Sequence, residues 1–161
     1  MFTIEGGWVL ADLEEVNTGM NGWRIAGLYE FNPYEGKVTH GISFGYVNMK
    51  TEVTSGQSTT EYVLGNFPIY YAPGLLLGED NFKFQLKGAL GWQFSNLHRY
   101  GSVFESKSNS GGLTLGAGAG GLYLIQPTVF FNFGYEFLWM NNSYYLDQYM
   151  HSIKLGLGFK F

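Results

Sequence analysis

The sequence contains no cysteine, little charge and no long apolar run. The absence of cysteine excludes a disulfide framework and a thiolate metal site. No segment reaches the roughly eighteen uninterrupted apolar residues of a membrane-spanning helix, which excludes that mode of crossing a membrane. Charged residues make up 14% of the chain, against roughly 25% in soluble domains. Because so few charges cannot cover a water-facing surface, we expect much of this surface to face something other than water.

Aromatic residues and glycine, by contrast, are abundant, at 19% and 24 residues respectively. A length of 161 residues predicts a single domain spanning residues 1–161. The net charge of −4 is mild and favours neither nucleic-acid binding nor attachment to a membrane surface through a basic patch.

Residues 150–161 alternate between two kinds of side chain. Every second residue from Ile153 to Phe161 is apolar, and the residues between them are small or charged. Because successive side chains of a strand point to opposite faces, this pattern predicts a strand with one apolar face. The same alternation recurs along the chain and predicts eight strands with no helix, at residues 2–13, 22–31, 38–50, 59–72, 82–95, 112–125, 128–139 and 149–161.

The polar face of these strands indicates which side is outside. In the sixth predicted strand it is Thr114, Gly116, Gly118 and Gly120, and in the eighth it includes Gly156 and Gly158. Glycine weakens a solvated strand and covers no apolar surface. In the narrow interior of an eight-stranded barrel, glycine leaves room for long side chains. We therefore predict an apolar exterior that includes Leu86, Phe133, Leu155 and Leu157, and a lumen that includes Lys87, Asn132 and Gly156. A soluble ligand-binding barrel, with the apolar face inside, is the alternative.

The connections between the predicted strands alternate in character. Turn-forming residues follow the second, fourth and sixth strands, at Asn32-Pro33, residues 73–81 and Gln126-Pro127. The other connections are more polar, and the longest is a predicted loop at residues 96–110. Within the fourth strand the alternation slips near Gly65-Asn66, which predicts a β-bulge.

The terminal segment with its final Phe161 resembles the closing strand of bacterial outer-membrane β-barrels. Over its whole length the chain resembles the small eight-stranded OmpA/OmpX/OmpW-like outer-membrane β-barrel domain family. The resemblance implies an all-β fold, a closed antiparallel up-and-down eight-stranded transmembrane β-barrel with both termini in the periplasm. It implies outer-membrane lipid as surroundings and insertion by the barrel-assembly machinery, with Phe161 as the assembly signal. It implies no single activity.

Charged side chains are predicted in the lumen, where unpaired charges are costly. The predicted pairs are Glu5 with Lys160, and Glu136 with Lys154 or Lys87, as a plug; the alternative is an ion path. The full predicted lumen set is Glu5, Arg24, Glu30, Lys83, Lys87, Glu136, Lys154 and Lys160. An aromatic girdle is predicted at the loop ends of three strands, from Trp23, Trp92 and Trp139.

No catalytic or cofactor motif emerges from the sequence. The G-x-G-x-x-G run at residues 116–121 lies within a predicted strand, so small lumen-facing residues explain it better than a dinucleotide site. His40, His98 and His151 lack the spacing of a metal site. We predict a structural or interaction role with four outward loops, and loop 96–110 as a candidate protein-binding segment. The alternatives are a narrow channel for ions or small solutes and a lipid-modifying enzyme.

Overall fold

The computed structural model describes residues 1–31, 37–78, 81–101 and 104–161. Nine antiparallel strands and one 3-10 turn, Glu14–Val16, form the described chain. No helix in the described ranges has the length and apolar character needed to cross a membrane. The strands are β1 (Phe2–Leu13), β2 (Thr18–Phe31), β3 (Val38–Ser55), β4 (Ser58–Tyr71), β5 (Gly74–Leu77), β6 (Phe82–Tyr100), β7 (Glu105–Gln126), β8 (Val129–Met140) and β9 (Tyr145–Phe159).

The sheet closes into a barrel because β1 pairs with both β2 and β9. The other strands pair in chain order, except that β4 and the short β5 lie end to end. Both β4 and β5 pair with β3 on one side and β6 on the other. The ring is therefore eight strands wide, as the alternating pattern predicts. We call the end that carries the 3-10 turn the loop end, and the end that carries β5 and both termini the turn end.

The prediction that residues 73–81 form only a turn is wrong. Residues Gly74–Leu77 form β5, with Leu75 and Leu77 outside and Leu76 inside. The alternation therefore continues after Ala72-Pro73. These two residues separate β4 from β5, which occupy the same position in the barrel wall. The predicted turn at Asn32-Pro33 lies outside the described residues, as do positions 79 and 80.

The β-bulge predicted at Gly65-Asn66 is also absent from the described ladders. The register of β4 with β3 is the same at Phe44↔Ile69 and Val47↔Asn66, and its register with β6 is continuous. The alternation is obscured at Tyr62-Val63-Leu64 because apolar residues occupy both faces there. Leu64 is buried in an apolar part of the interior that the sequence does not predict.

The predicted loop at residues 96–110 is largely strand instead. β6 runs on to Tyr100 and β7 begins at Glu105, with Asn96↔Asn109 and Tyr100↔Glu105 as partners. The β6–β7 ladder is unbroken over this segment, with serines at alternate positions of β7. Residues 102–103 of this segment lie outside the described range.

The outward face is apolar, which confirms the predicted orientation. Leu155 is 56% exposed and Leu157 is 45% exposed, whereas Asn132 is 6% exposed. Phe133 and Leu86 are likewise exposed, while Lys87 points inward with a side chain that is 12% exposed. Large apolar side chains thus cover the outside of the barrel, and polar ones lie within it.

Candidate functional site

Buried ion pairs cross the middle of the lumen. Arg24 on β2 and Lys154 on β9 both bind Glu136 on β8, and Lys154 Nζ lies 2.7 Å from Glu136 Oε2. Tyr70 on β4 donates a 2.9 Å hydrogen bond to the same oxygen, and Arg24 donates to Ser152 Oγ at 3.2 Å. One carboxylate therefore joins four strands of the barrel. The sequence predicts that Glu136 pairs with Lys154 or Lys87, and its pairing with Lys154 is observed.

The second carboxylate of this region, Glu5, pairs with Lys154 at 3.2 Å and accepts a 2.7 Å hydrogen bond from Asn132. The predicted pair of Glu5 with Lys160 is wrong. Glu5 lies directly opposite Gly156, four residues from Lys160, or about 13 Å along the strand. Lys154 is only two residues from Gly156 and points into the lumen, which places its ammonium group within reach.

The third carboxylate, Glu30, pairs with Lys87 at 3.2 Å and accepts a 3.3 Å hydrogen bond from Gln85. Three carboxylates thus meet three cations, and the set is neutral as a whole. We call it the charge cluster: Glu5, Arg24, Glu30, Lys87, Glu136 and Lys154.

Every member of the charge cluster lies directly opposite a glycine on a neighbouring strand. Gly7 faces both Arg24 and Lys154, and Gly118 faces both Lys87 and Glu136. Gly156 faces Glu5, and Gly41 faces Glu30. A Cβ atom added at Gly156 would lie 2.5 Å from the Ile4 carbonyl oxygen and 3.1 Å from Glu5 Cγ. The glycines therefore provide the space that the long side chains fill.

Between the charge cluster and the loop end, the interior is mainly apolar. A hydrogen-bonded group of buried polar side chains lies within it: Asn66, Gln93, Ser95 and Asn142. Four of the five methionines lie there among leucines, all at most 2% exposed. Sequence reasoning missed this region, although inward-facing methionines at the loop ends of the strands were a usable signal. We call it the apolar layer: Leu13, Met20, Met49, Leu64, Leu97, Met140, Tyr145 and Met150.

Two turns cover the apolar layer at the loop end. From the β8–β9 turn, the buried side chain of Asn142 donates a 3.0 Å hydrogen bond to Ser95 on β6. Across the mouth, Arg99 on β6 binds Glu15 in the turn after β1, with Nη2 2.5 Å from Oε2. That hydrogen-bonded carboxylate raises the pKa of Arg99 above its ordinary value. Because β1 and β6 lie on opposite sides of the ring, this ion pair spans the opening.

The remaining predicted residues lie elsewhere. Lys83 and Lys160 are outside the charge cluster and line a cavity at the turn end. Trp23 and Trp92 are exposed on the outward face, and Trp139 is half-buried there, opposite the outward-facing Leu115 and Tyr149. Phe161 is 84% exposed, and its ring stacks on Tyr29 at 6.4 Å.

The three histidines are far from one another in the fold. His40, His98 and His151 each contact a tyrosine hydroxyl on the outward face. In the ranges that the structure describes, no three His, Asp or Glu side chains converge on a metal site. The glycines at 116–121 lie within β7 and face other strands, with no helix after them.

Comparison with known proteins agrees with this geometry. The profile of the family described as "Outer membrane protein beta-barrel domain" matches residues 2–161. None of the curated proteins matches the chain. Among solved structures, Neisserial surface protein A is similar at 13% identity and a TM-score of 0.63, over 99% of this chain and 97% of that one. Ail of Yersinia pestis is similar at 16% identity and a TM-score of 0.60, with the same coverage. The transport unit of the Escherichia coli autotransporter AIDA-I is similar at 13% identity and a TM-score of 0.58, over 99% and 89%.

We predict that Glu136→Gln destabilises the barrel by about 3–5 kcal/mol, because the buried Arg24 and Lys154 lose a charged partner. The matched control is Glu61→Gln, which removes an exposed carboxylate 3.8 Å from Lys50 and should cost less than about 1 kcal/mol. Urea unfolding of both variants in lipid vesicles measures the difference. Equal costs for the two variants would show that water screens the charge cluster.

Proposed function

The chain belongs to the outer membrane protein beta-barrel domain family, and we propose that it acts in the bacterial outer membrane as a closed, non-enzymatic barrel with a protein-binding surface at its loop end. The observation that carries this proposal is the filled interior. The charge cluster joins strands that are not neighbours, β2 with β8 and β2 with β6, and the apolar layer lies beyond it. A barrel of eight strands is only wide enough for its own side chains, which supports a lumen without a continuous water path.

The proposed binding surface is a sheet that projects beyond the apolar band. Strands β3, β4, β6 and β7 continue there, and we call their outer ends the projecting sheet (residues 48–55, 58–65, 96–100 and 105–111). Its outward rows are mostly polar. Asn48, Asn96 and Asn109 form one row with Gly65, and Lys50, His98 and Lys107 form the next with Val63. Protein partners bind such polar surfaces through shape and hydrogen bonds, which a lipid-facing surface does not offer.

Both edges of the projecting sheet are open, on β3 after Lys50 and on β7 before Thr114, and the longer open stretch is on β7. The described pairing of β7 with β8 begins at Thr114↔Met140, so residues 105–112 pair with β6 alone on their described sides. An open edge presents unpaired N–H and C=O groups, to which an extended segment of another protein can add as a strand. We propose the β7 edge as the main contact, in the segment for which the sequence predicts a partner.

The turn end then faces the periplasm, with both termini on that side. For Phe161 we propose the role of an assembly signal that the barrel-assembly machinery recognises. Its ring is 84% exposed, so a recognition factor can reach it, and its contact with Tyr29 is peripheral.

A closed lumen predicts that the purified protein shows no stepwise conductance in planar lipid bilayers. The reason is the apolar layer, which ions cannot cross without losing their hydration. A general porin reconstituted in the same way serves as the positive control for insertion. Reproducible single-channel conductance steps from the folded protein would contradict a closed lumen and support a channel function.

A partner on the open edge predicts photo-crosslinks in cells from a crosslinking amino acid at Asn109. The matched control is the same amino acid at Thr54, on the opposite edge of the projecting sheet, which should give none. Replacing residues 98–107 with an Asn-Gly turn should abolish the adduct and leave the barrel folded. Crosslinks from Thr54 alone, or from neither site, would overturn the assignment of the β7 edge.

Deleting Phe161 should slow insertion in cells strongly while lowering the stability of the refolded barrel by no more than a few kcal/mol. Pulse-chase assembly assays measure the first effect, and urea unfolding of protein refolded in vitro measures the second. Phe159→Ala, two residues earlier on the same outward face, is the control for simple loss of an aromatic contact. Normal insertion of the shortened chain would refute the signal.

A further inference from the structure

Charged side chains on the outward face of the projecting sheet are sorted by their distance from the apolar band. The nearer row, which we call the basic row, contains two lysines: Lys50, Val63, His98 and Lys107. The row beyond it, which we call the acidic row, contains three glutamates: Glu52, Glu61, Tyr100 and Glu105. On β3 and on β7, a lysine is therefore followed by a glutamate two residues further from the membrane.

The basic row begins at the height of lipid headgroups. On β3 the outward apolar residues end at Tyr46, and Lys50 follows four residues later, about 13 Å along the strand. At the usual strand tilt this is roughly 10 Å along the membrane normal. The headgroup layer is about 5–8 Å thick on each side of a bilayer. Because a lysine stem can bend back toward the membrane, the ammonium group of Lys50 can lie within that layer.

Both ammonium groups of the basic row are accessible. The side chain of Lys50 is 65% exposed, and its ion pair with the exposed Glu61 is long, at 3.8 Å, so water screens the attraction. Lys107 is exposed, and its ammonium group forms no ion pair within the ranges that the structure describes. Both cations can therefore meet an external anion.

The other side of the ring has the opposite charge. Among the described residues, the loop ends of β1 and β9 and the turn between β1 and β2 carry carboxylates and no lysine. These carboxylates are Asp12, Glu14, Glu15 and Asp147. Arg99, the remaining loop-end cation, points across the mouth to Glu15. An anionic membrane surface is therefore attracted to the outward face of the projecting sheet and not to the opposite side.

We propose that the basic row binds the phosphate groups of anionic lipid headgroups in the leaflet on the loop-end side, while the acidic row points into water. Lipid phosphates are the anions that a cation just beyond the apolar band meets, and the same phosphates repel the acidic row. Three strand spacings, about 14 Å, separate Lys50 from Lys107, so the two lysines bind separate phosphates. This contact uses the face of the sheet and leaves the open edge of β7 free, so it does not depend on the proposed protein partner.

The test uses the full chain in phosphatidylcholine nanodiscs, to which phosphatidylglycerol of the same acyl chains is added in steps. Saturable changes in the backbone amide NMR shifts are expected at Val63 and His98, which lie between the two lysines. The amide of Asp147, on the other side of the ring, should not respond. Soluble glycerol phosphate at the same phosphate concentration distinguishes a free anion from a lipid headgroup, and it should leave all three shifts unchanged.

Lys50→Gln combined with Lys107→Gln should weaken the response to phosphatidylglycerol tenfold or more, because each lysine beside an anionic surface contributes about fivefold. Both side chains are exposed, so the barrel should fold normally, and the rest of the amide spectrum checks this. Lys37→Gln, which removes a lysine at the turn end, is the control and should leave the shifts at Val63 and His98 unchanged. An absent response to phosphatidylglycerol, an equal response to glycerol phosphate, or an undiminished response in the double variant would each overturn the proposal.

Discussion

The interior of this barrel depends on the mutual neutralisation of three carboxylates and three cations. The three carboxylates and Arg24 are buried, and Lys87 and Lys154 are partly buried. A buried charge is tolerated only where a partner and further hydrogen bonds compensate for its lost hydration. Glu136 meets this requirement with Arg24, Lys154 and Tyr70 around one carboxylate. Because the partners come from four different strands, the cluster fixes the relative heights of those strands as well as closing the lumen.

The backbone accommodates these long side chains through glycine. An arginine or lysine that crosses a narrow lumen needs an empty position on the neighbouring strand, and Gly7 provides one for both Arg24 and Lys154. Glycine in a strand ordinarily weakens it. Here the closed ladder on both sides holds the backbone, so the cost is offset by the ion pairs that the space permits.

The sequence predicts which side chains point into the lumen better than it predicts which charged side chains form ion pairs, and the reason is physical. Alternation decides whether a side chain points in or out, and Leu157 and Lys87 lie as predicted. The height of one strand against another is set by the register of the closed ladder, which alternation does not contain. Glu5 therefore meets Lys154 and not Lys160. The apolar layer was missed because apolar residues on both faces at the loop end were interpreted as a slip in phase near Gly65.

The boundary of the membrane can be located from the register of four strands. Tyr46, Phe67 and Phe94 form the last continuous row of aromatic residues on the outward face, with only Tyr100 further out on β6. The next outward row contains Asn48, Gly65, Asn96 and Asn109. On β6 the apolar outward residues extend from Phe82 to Phe94, about 40 Å along the strand. At the usual strand tilt this is roughly 30 Å along the membrane normal, close to the height of the apolar band of outer-membrane barrels.

Beyond that boundary the same strands continue in water, and their composition changes accordingly. The open edge of β7 carries serine, lysine, asparagine and glycine, which give little apolar surface for two copies to share. Charged and small residues are a known protection of open edges against pairing with identical chains. The composition of this edge therefore disfavours pairing between two copies of the chain. It is compatible with the proposed partner strand, whose side chains would complement Lys107 and Glu105.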